Sequence, residues 1–440
     1  MDLAWFDKVG DGHYVFSHGC AVPVQVFLTE ALLRDLEQEV LAQMRTAANL
    51  PGVTRVAVTP DTHSGYGVPI GIAIETDRTI LPTAAGYDIG CGMVQLRTDL
   101  DAEQVADPRK RRAWIDAVTR HIGVGVGEGS AIAREKVTGK LFQDVVRHGA
   151  KALGRDHSVT ERDCHEVVGD AAPPARSLEK IHQLGSLGGG NHFLEMQVEE
   201  GTGKVWVMIH TGSRGYGWNI GDAFFKEGAA RLNLAGPGKD RIWFDVESDI
   251  GRRYLTLHNM AANFAIANRL LIGEAVCRAL MDVFGGQASI YYEISHNLVQ
   301  REGGRFVHRK GATRAFPAGH EFLRGSVWEH TGHPILIPGS MATGSAILFA
   351  REGALKSCHS VNHGAGRRMS RAAARRVLDQ KQIDRQMQDA GILLNMRHTP
   401  IDEAGPCYKD LDQVLSAVET AGLAEVKIRL RPVACIKGND

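Results

Sequence analysis

Short apolar runs bounded by turn residues recur along this chain, and they limit what it can fold into. "VTRVAV" at 53–58, "IGIAIE" at 70–75, "MVQLRT" at 93–98, "VWVMIH" at 205–210, "SIYYEIS" at 289–295 and "PILIP" at 334–338 are rich in β-branched and aromatic residues. Gly, Pro, Asp or Asn borders them, so they read as strands. Longer helical patterns lie between, at 224–233, 256–284 and 370–391, with an amphipathic helix expected over 25–50. Strands and helices do not alternate strictly, which argues against a doubly wound parallel sheet. The expectation is an α+β fold, a single large domain over 1–440 with mixed β-sheets flanked by helices.

The 50 glycines form no flexible tract; they gather in short motifs at strand ends. Segments positioned by a rigid strand are where sites are built. No stretch approaches the roughly 18 apolar residues of a membrane span, and the first residues carry no basic-then-apolar signal pattern. The expected location is cytoplasmic, without a membrane partner. Seven cysteines with no CxxC pair argue against a disulfide framework. Formal net charge is zero, so global electrostatics does not announce a nucleic-acid binder. The basic run "RKRRAW" at 109–114 reads first as a solvated helix face.

Chemistry-bearing residues sit in the glycine motifs. "AAGYDIGCGM" offers Asp88 and Cys91 three residues apart. "GGGNHFLEMQV" places His192 just before an apolar run, while "VWVMIHTGSRGYG" ends one with His210, a glycine-rich turn behind it. "SIYYEISHNLVQ" does the same for His296. Together these look like a convergent O/S/N shell suited to a transition metal, and ligand softness alone names zinc first. Asp61 and His63 in "TPDTHSGYGVPIG" read as residues that orient ligands, or equally as a capped β-turn. "IPGSMATGS" at 337–345 reads as a hydroxyl-rich loop with free N–H groups for phosphate, although ordinary turn chemistry predicts the same composition.

In "SVNHGAGRRMSRAAARR", His363 stands against Gly364, Ala365 and Gly366. A neutral imidazole is a good nucleophile towards phosphorus, and small neighbours leave an in-line approach open. Arg367 suits bidentate contact with phosphate oxygens, and Ser370 is placed to cap the next helix. Neither a G-x-x-x-x-G-K-[ST] loop nor a K-x-[DN]-G lysine signature occurs.

"PDTHSGYGVPIG", "GYDIGCGM", "QLGSLGGGNHFLE", "IHTGSRGYG", "ISHN", "VHRKGATRAF", "LIPGSM", "HGAGR", "YKDL" and a terminal "IKG" occur in an order that resembles the RtcB family of RNA-splicing ligases, over roughly residues 60 to 438. The resemblance implies an RtcB-like fold and joining of RNA 2′,3′-cyclic phosphate or 3′-phosphate ends to 5′-hydroxyl ends, with GTP and two manganese ions. It implies Asp88, Cys91, His192, His210 and His296 as metal ligands, with the sulfur shared. It replaces zinc by manganese and makes His363 the guanylylated residue. The implied GTP contacts are Asn191, His192, Phe193, Leu194, Glu195, His296, Asn297, Pro338, Gly339, Ser340, Met341, Ser345, His363, Gly364, Ala365, Gly366 and Lys437, with Arg367 and Tyr408 added. A monomer is expected. Asn362 stands where the family commonly has cysteine, and "MATGSAI" departs from its usual wording. The rival reading is a metal-dependent phosphohydrolase or cyclic phosphodiesterase that acts on RNA ends without joining them.

Overall fold

The computed structural model describes residues 3–132, 139–154, 164–238 and 240–438. Two large sheets organise it. The first has seven strands in the order Phe6–Gly10, His13–Phe16, Val24–Val26, Val53–His63, Ile70–Thr76, Arg305–Lys310 and Asn297–Glu302. Its neighbours are antiparallel except Val24–Val26 with Val53–His63. The second runs Ala288–Ser295, Gly92–Asp101, Lys204–Thr211, Phe193–Glu199, Ala424–Lys437, Ser345–Ala350 and Pro334–Pro338, with Leu393–Leu394 added parallel to Ala424–Lys437. All the expected strand segments lie in these sheets. The architecture is α+β with mixed sheets flanked by helices.

Register in the second sheet gathers the motifs. Ile294 pairs with Met93, Met93 with His210, His210 with Phe193, and Phe193 with Lys437. Cys91, His192 and His296 sit within two residues of that row, so segments far apart in sequence end at one edge of the sheet.

Under that edge runs the helix Asp249–Phe284, started by Ser248, whose hydroxyl accepts from Gly251 N, and stopped by left-handed Gly285. Its apolar residues pack with Val94, Leu96, Val207 and Ile209 in the largest core. Among the described residues, no helix is long and apolar enough to cross a membrane.

Three expectations about helices need correction. Residues 25–50 form the end of a strand and two helices, Glu30–Arg34 and Gln38–Ala48, because Thr29 caps the first and Asp35 ends it. The 370–391 pattern breaks at Leu378, and Asp379 caps a new helix through Gln382 N. The "glycine-rich turn" after His210 is the start of the helix Arg214–Arg231. Glycine disfavours helix intrinsically, but here close packing overrides that propensity: a Cβ on Gly217 would lie 1.9 Å from Ser213 Oγ, and Gly221 rides against the Tyr87 backbone. The basic run at 109–114 lies in the helix Pro108–His121, where Trp114 is buried and Arg109 is exposed and paired with Asp107.

Candidate active site

Cys91 Sγ lies 3.4 Å from His192 Nε2 and 3.2 Å from His210 Nε2. His192 Nε2 is 3.0 Å from Asp88 Oδ2, and His210 Nε2 is 3.3 Å from His296 Nε2. The donor atoms form two triads, Asp88–Cys91–His192 and Cys91–His210–His296, each within 4.8 Å, with Cys91 in both. Cys91 and the three histidines are buried.

The hydrogen bond behind the His210 ring fits it to a cation. His210 Nδ1 faces the Asn191 carbonyl at 3.1 Å, so its Nε2 carries a lone pair directed at other lone-pair donors. His192 Nδ1 faces the Leu187 carbonyl at 3.1 Å, with the Arg214 guanidinium 2.8 Å away. Burial, with neighbouring imidazoles, holds His210 and His296 far below the usual histidine range, so both are neutral and ready to ligate. Burial also pushes the Cys91 thiol up, and a divalent ion would be needed to draw off its proton.

His363 stands beside this cluster, its ring centroid 4.8 Å from that of His296. It follows the short strand Ser360–Asn362, which pairs with Ala312–Arg314. Gly366 is left-handed at φ 76°, and a Cβ there would lie 2.1 Å from Asp61 O, so only glycine lets the motif close on the Asp61 strand. Asp61 is thereby brought against His363, while His63 donates Nδ1 to Asp61 O at 2.9 Å and is kept neutral by burial, at about 4.

A cleft of about 280 Å³ opens from His363 and His210. Of the residues expected to contact a nucleotide, Asn191, Phe193, Glu195, Pro338, Gly339, Ser340, Met341, Ser345, Gly364, Ala365, Gly366, Arg367, Tyr408 and Lys437 line it. Leu194 does not: strand alternation turns its side chain into the core, leaving only its backbone near the cleft. His192, His296 and Asn297 lie on the cluster side, where Asn297 donates to Asp88 O and accepts from Gly311 N.

The 337–345 loop follows the turn-chemistry reading of its composition. The N–H groups of Gly339, Thr343 and Gly344 bond within the loop, as do those of Ser340 and Ala342 through hydroxyls. Turn chemistry explains its composition, and these groups form no open phosphate cradle.

Three cleft or cluster residues escaped the sequence reading. Buried Glu403 receives Arg367 at 3.2 Å, Lys437 at 3.3 Å and the Tyr408 hydroxyl, with Arg371 at 3.2 Å. Burial opposes its charge, but Lys437 and the other donors keep its carboxyl below the ordinary range. Glu403 and Arg371 had no local signal, because neither lies at a diagnostic spacing from a recognised group. Arg214 stands in "HTGSRGYG", which reads as turn sequence and hides it.

A family model described as tRNA-splicing ligase RtcB matches residues 43–438. The chain is similar to a tRNA-splicing ligase RtcB of Thermococcus kodakarensis, 32% identical over 100% of this chain and 99% of that one. It is 32% identical to a tRNA-splicing ligase RtcB of Nanoarchaeum equitans over 95% of each chain. An RNA-splicing ligase RtcB of Mycobacterium bovis is 36% identical over 90% of this chain and 100% of its own.

Proposed function

The chain belongs to the RtcB family, and from that membership we propose that it is a GTP-dependent RNA ligase joining 3′-phosphate or 2′,3′-cyclic phosphate ends to 5′-hydroxyl ends through guanylylated His363. The observation that carries this is a single imidazole, fixed through Nδ1 by Asp61, beside both a soft-donor cluster and a nucleotide-sized cleft. Hydrolysis alone would not need that arrangement.

Asp88, Cys91, His192, His210 and His296 would hold two manganese ions, with Cys91 shared between the triads. Bound there, the ions would supply charge to offset clustered phosphates and would activate water for opening a cyclic phosphate. Asp61 accepts a hydrogen bond from the His363 Nδ1–H and so holds the tautomer whose Nε2 lone pair is free for the α-phosphorus of GTP; the N–P bond forms as the bond to pyrophosphate breaks. Arg367, Arg371 and Lys437, gathered by Glu403, line the cleft with positive charge that offsets the charge of a bound nucleotide. The GMP then passes from His363 to an oxygen of the RNA 3′-phosphate, breaking the N–P bond and restoring the imidazole. The 5′-hydroxyl attacks this activated end, and GMP departs. Glu195 on the cleft floor offers one acceptor carboxylate, which suits the two donors on the guanine edge.

Incubation with α-labelled GTP and manganese tests the reading. Covalent label is expected on the wild type and absent from His363→Ala, with 3′-phosphate but not 3′-hydroxyl ends ligated. Release of 3′-phosphate or opening of the cyclic phosphate without label or joining would favour the hydrolase instead.

A further inference from the structure

The metal-ligand cluster has two approaches. One is the nucleotide cleft beside His210 and His363. The other is at Asp88, whose side chain is 26% exposed against 6% for that of His192, with Cys91, His210 and His296 buried. The Arg214 guanidinium, 2.8 Å from His192 Nδ1, puts a positive charge near Asp88 and helps hold its carboxyl below the ordinary range.

An aromatic stack borders this second approach. Tyr87 precedes Asp88 directly. Its ring lies 5.4 Å from that of Trp218 with 18° between planes, and its other neighbours are Phe225 at 4.6 Å and Tyr66 at 5.5 Å. Trp218 lies four residues after Arg214 in the helix Arg214–Arg231, so the two share a face one turn apart. Phe225 is buried, yet Trp218 remains 47% exposed, a large apolar ring kept in solvent. The helix is pressed onto the Tyr87 backbone through Gly221, which fixes the tryptophan relative to Asp88. The nearby Asp222 carboxylate is paired with Lys226 at 2.7 Å, which limits repulsion of a polyanion.

We propose that Trp218, stacked on Tyr87, is a platform that receives the terminal nucleobase of the RNA strand whose 3′-phosphate is presented at the Asp88 side of the cluster. This rests on the ligase reading. Single-stranded ends are held by stacking unpaired bases on aromatic rings, and every base has a face to offer, so the contact would tolerate any sequence. The dianionic 3′-phosphate suits the side where Arg214 lies; the neutral 5′-hydroxyl end has no such requirement.

The test uses the full chain and labelled single-stranded RNA. Trp218→Ala is expected to weaken binding of a 3′-phosphate strand, and raise its KM, by about 5- to 150-fold, the range for one aromatic–base stack. Trp218→Phe is expected to recover most of that loss, while kcat changes less than KM. Wild-type protein should lose a similar factor when the 3′-terminal nucleotide is abasic, and Trp218→Ala should lose little more on that strand. The abasic arm decides the matter even if Trp218→Ala folds poorly. The proposal is overturned if the wild type binds both strands equally, if Trp218→Ala weakens the abasic strand by the full factor, or if only an abasic 5′-hydroxyl strand is affected. Failure of GTP labelling on the wild type would count against the ligase reading alone, because the binding arms require no GTP.

Discussion

Asp61 Oδ2 lies 2.6 Å from His363 Nδ1 and accepts a second hydrogen bond from the His363 backbone N–H at 3.0 Å. One carboxylate therefore fixes both the ring and the main chain of the same residue. Burial disfavours its charge, but His363 and the Thr59 hydroxyl, 2.6 Å from Oδ1, outweigh that and keep the carboxyl below its ordinary range. The acceptor at Nδ1 leaves Nε2 as the free lone pair.

Replacing Asp61 with Asn removes the charge and one of the two acceptor positions. The rate of His363 guanylylation is expected to fall roughly 10- to 100-fold, the usual cost of losing a group that orients a working imidazole. Single-turnover labelling with GTP measures it; wild-type labelling by Asp61→Asn would remove the assigned role.

Cys91 is the only residue common to both donor triads among the described residues. Cys91→Ala should lose most bound manganese after dialysis, and ligation with it, while thermal melting shows a folded protein. Metal content by elemental analysis and a ligation assay read the two effects. Wild-type joining by that variant would refute a shared thiolate.

The sequence revealed the segments of this site better than its walls. Strand ends bearing histidine, cysteine and aspartate were legible, because turn residues bracket each apolar run and the register of an antiparallel sheet brings such ends to one edge. His363 was legible because glycines on one side of an imidazole have few structural uses. Glu403 and Arg371 were not, since their importance comes from tertiary neighbours and not from local spacing. The helix Arg214–Arg231 was misread at its start for a related reason: its glycines answer to Ser213 and Tyr87, and propensity sees neither.

Glu195 is buried on the cleft floor and accepts from Gln197 Nε2 at 2.7 Å. Burial raises its carboxyl to about 8, with Gln197 and Lys437 offsetting only part of the effect. A guanine edge needs the charged acceptor, so the apparent KM for GTP should fall as pH rises from about 6.5 to about 8.5. In Glu195→Gln that dependence should vanish and the KM should rise about 10- to 150-fold, the cost of a hydrogen bond to a charged group. An unchanged preference for GTP over ATP in the variant would place guanine recognition elsewhere.

His308 is fully buried, its Nε2 accepting from Leu81 N at 3.0 Å and its Nδ1 facing Ile74 O at 3.2 Å. Burial holds it near 3 against 6.5 for a free histidine. The unfolded chain therefore binds the proton first as pH falls. The stability this residue contributes is complete above 6.5 and declines through the window down to about 3, by up to about 1.4 kcal/mol per pH unit. Urea midpoints at several pH values in EDTA should show a shallower acid slope for His308→Gln than for the wild type. Equal slopes would exclude His308 from the acid response.

Arg269, fully buried in the helix Asp249–Phe284, donates to Glu293 Oε1 at 2.6 Å, Gly90 O at 2.5 Å, Thr211 O at 2.9 Å and Ser295 Oγ at 2.7 Å. Gly90, Thr211 and Ser295 adjoin Cys91, His210 and His296 in sequence, so one guanidinium ties together the three segments of the second donor triad. Arg269→Met should destabilise the protein by about 3–5 kcal/mol, because the buried Glu293 carboxylate loses its guanidinium partner. Adding Glu293→Gln should restore much of that stability by removing the charge. It should not restore manganese affinity, since the three segments still lack their common tie. Denaturant unfolding and manganese titration of the single and double variants separate the two effects; parallel recovery of both would reduce Arg269 to one half of a buried ion pair.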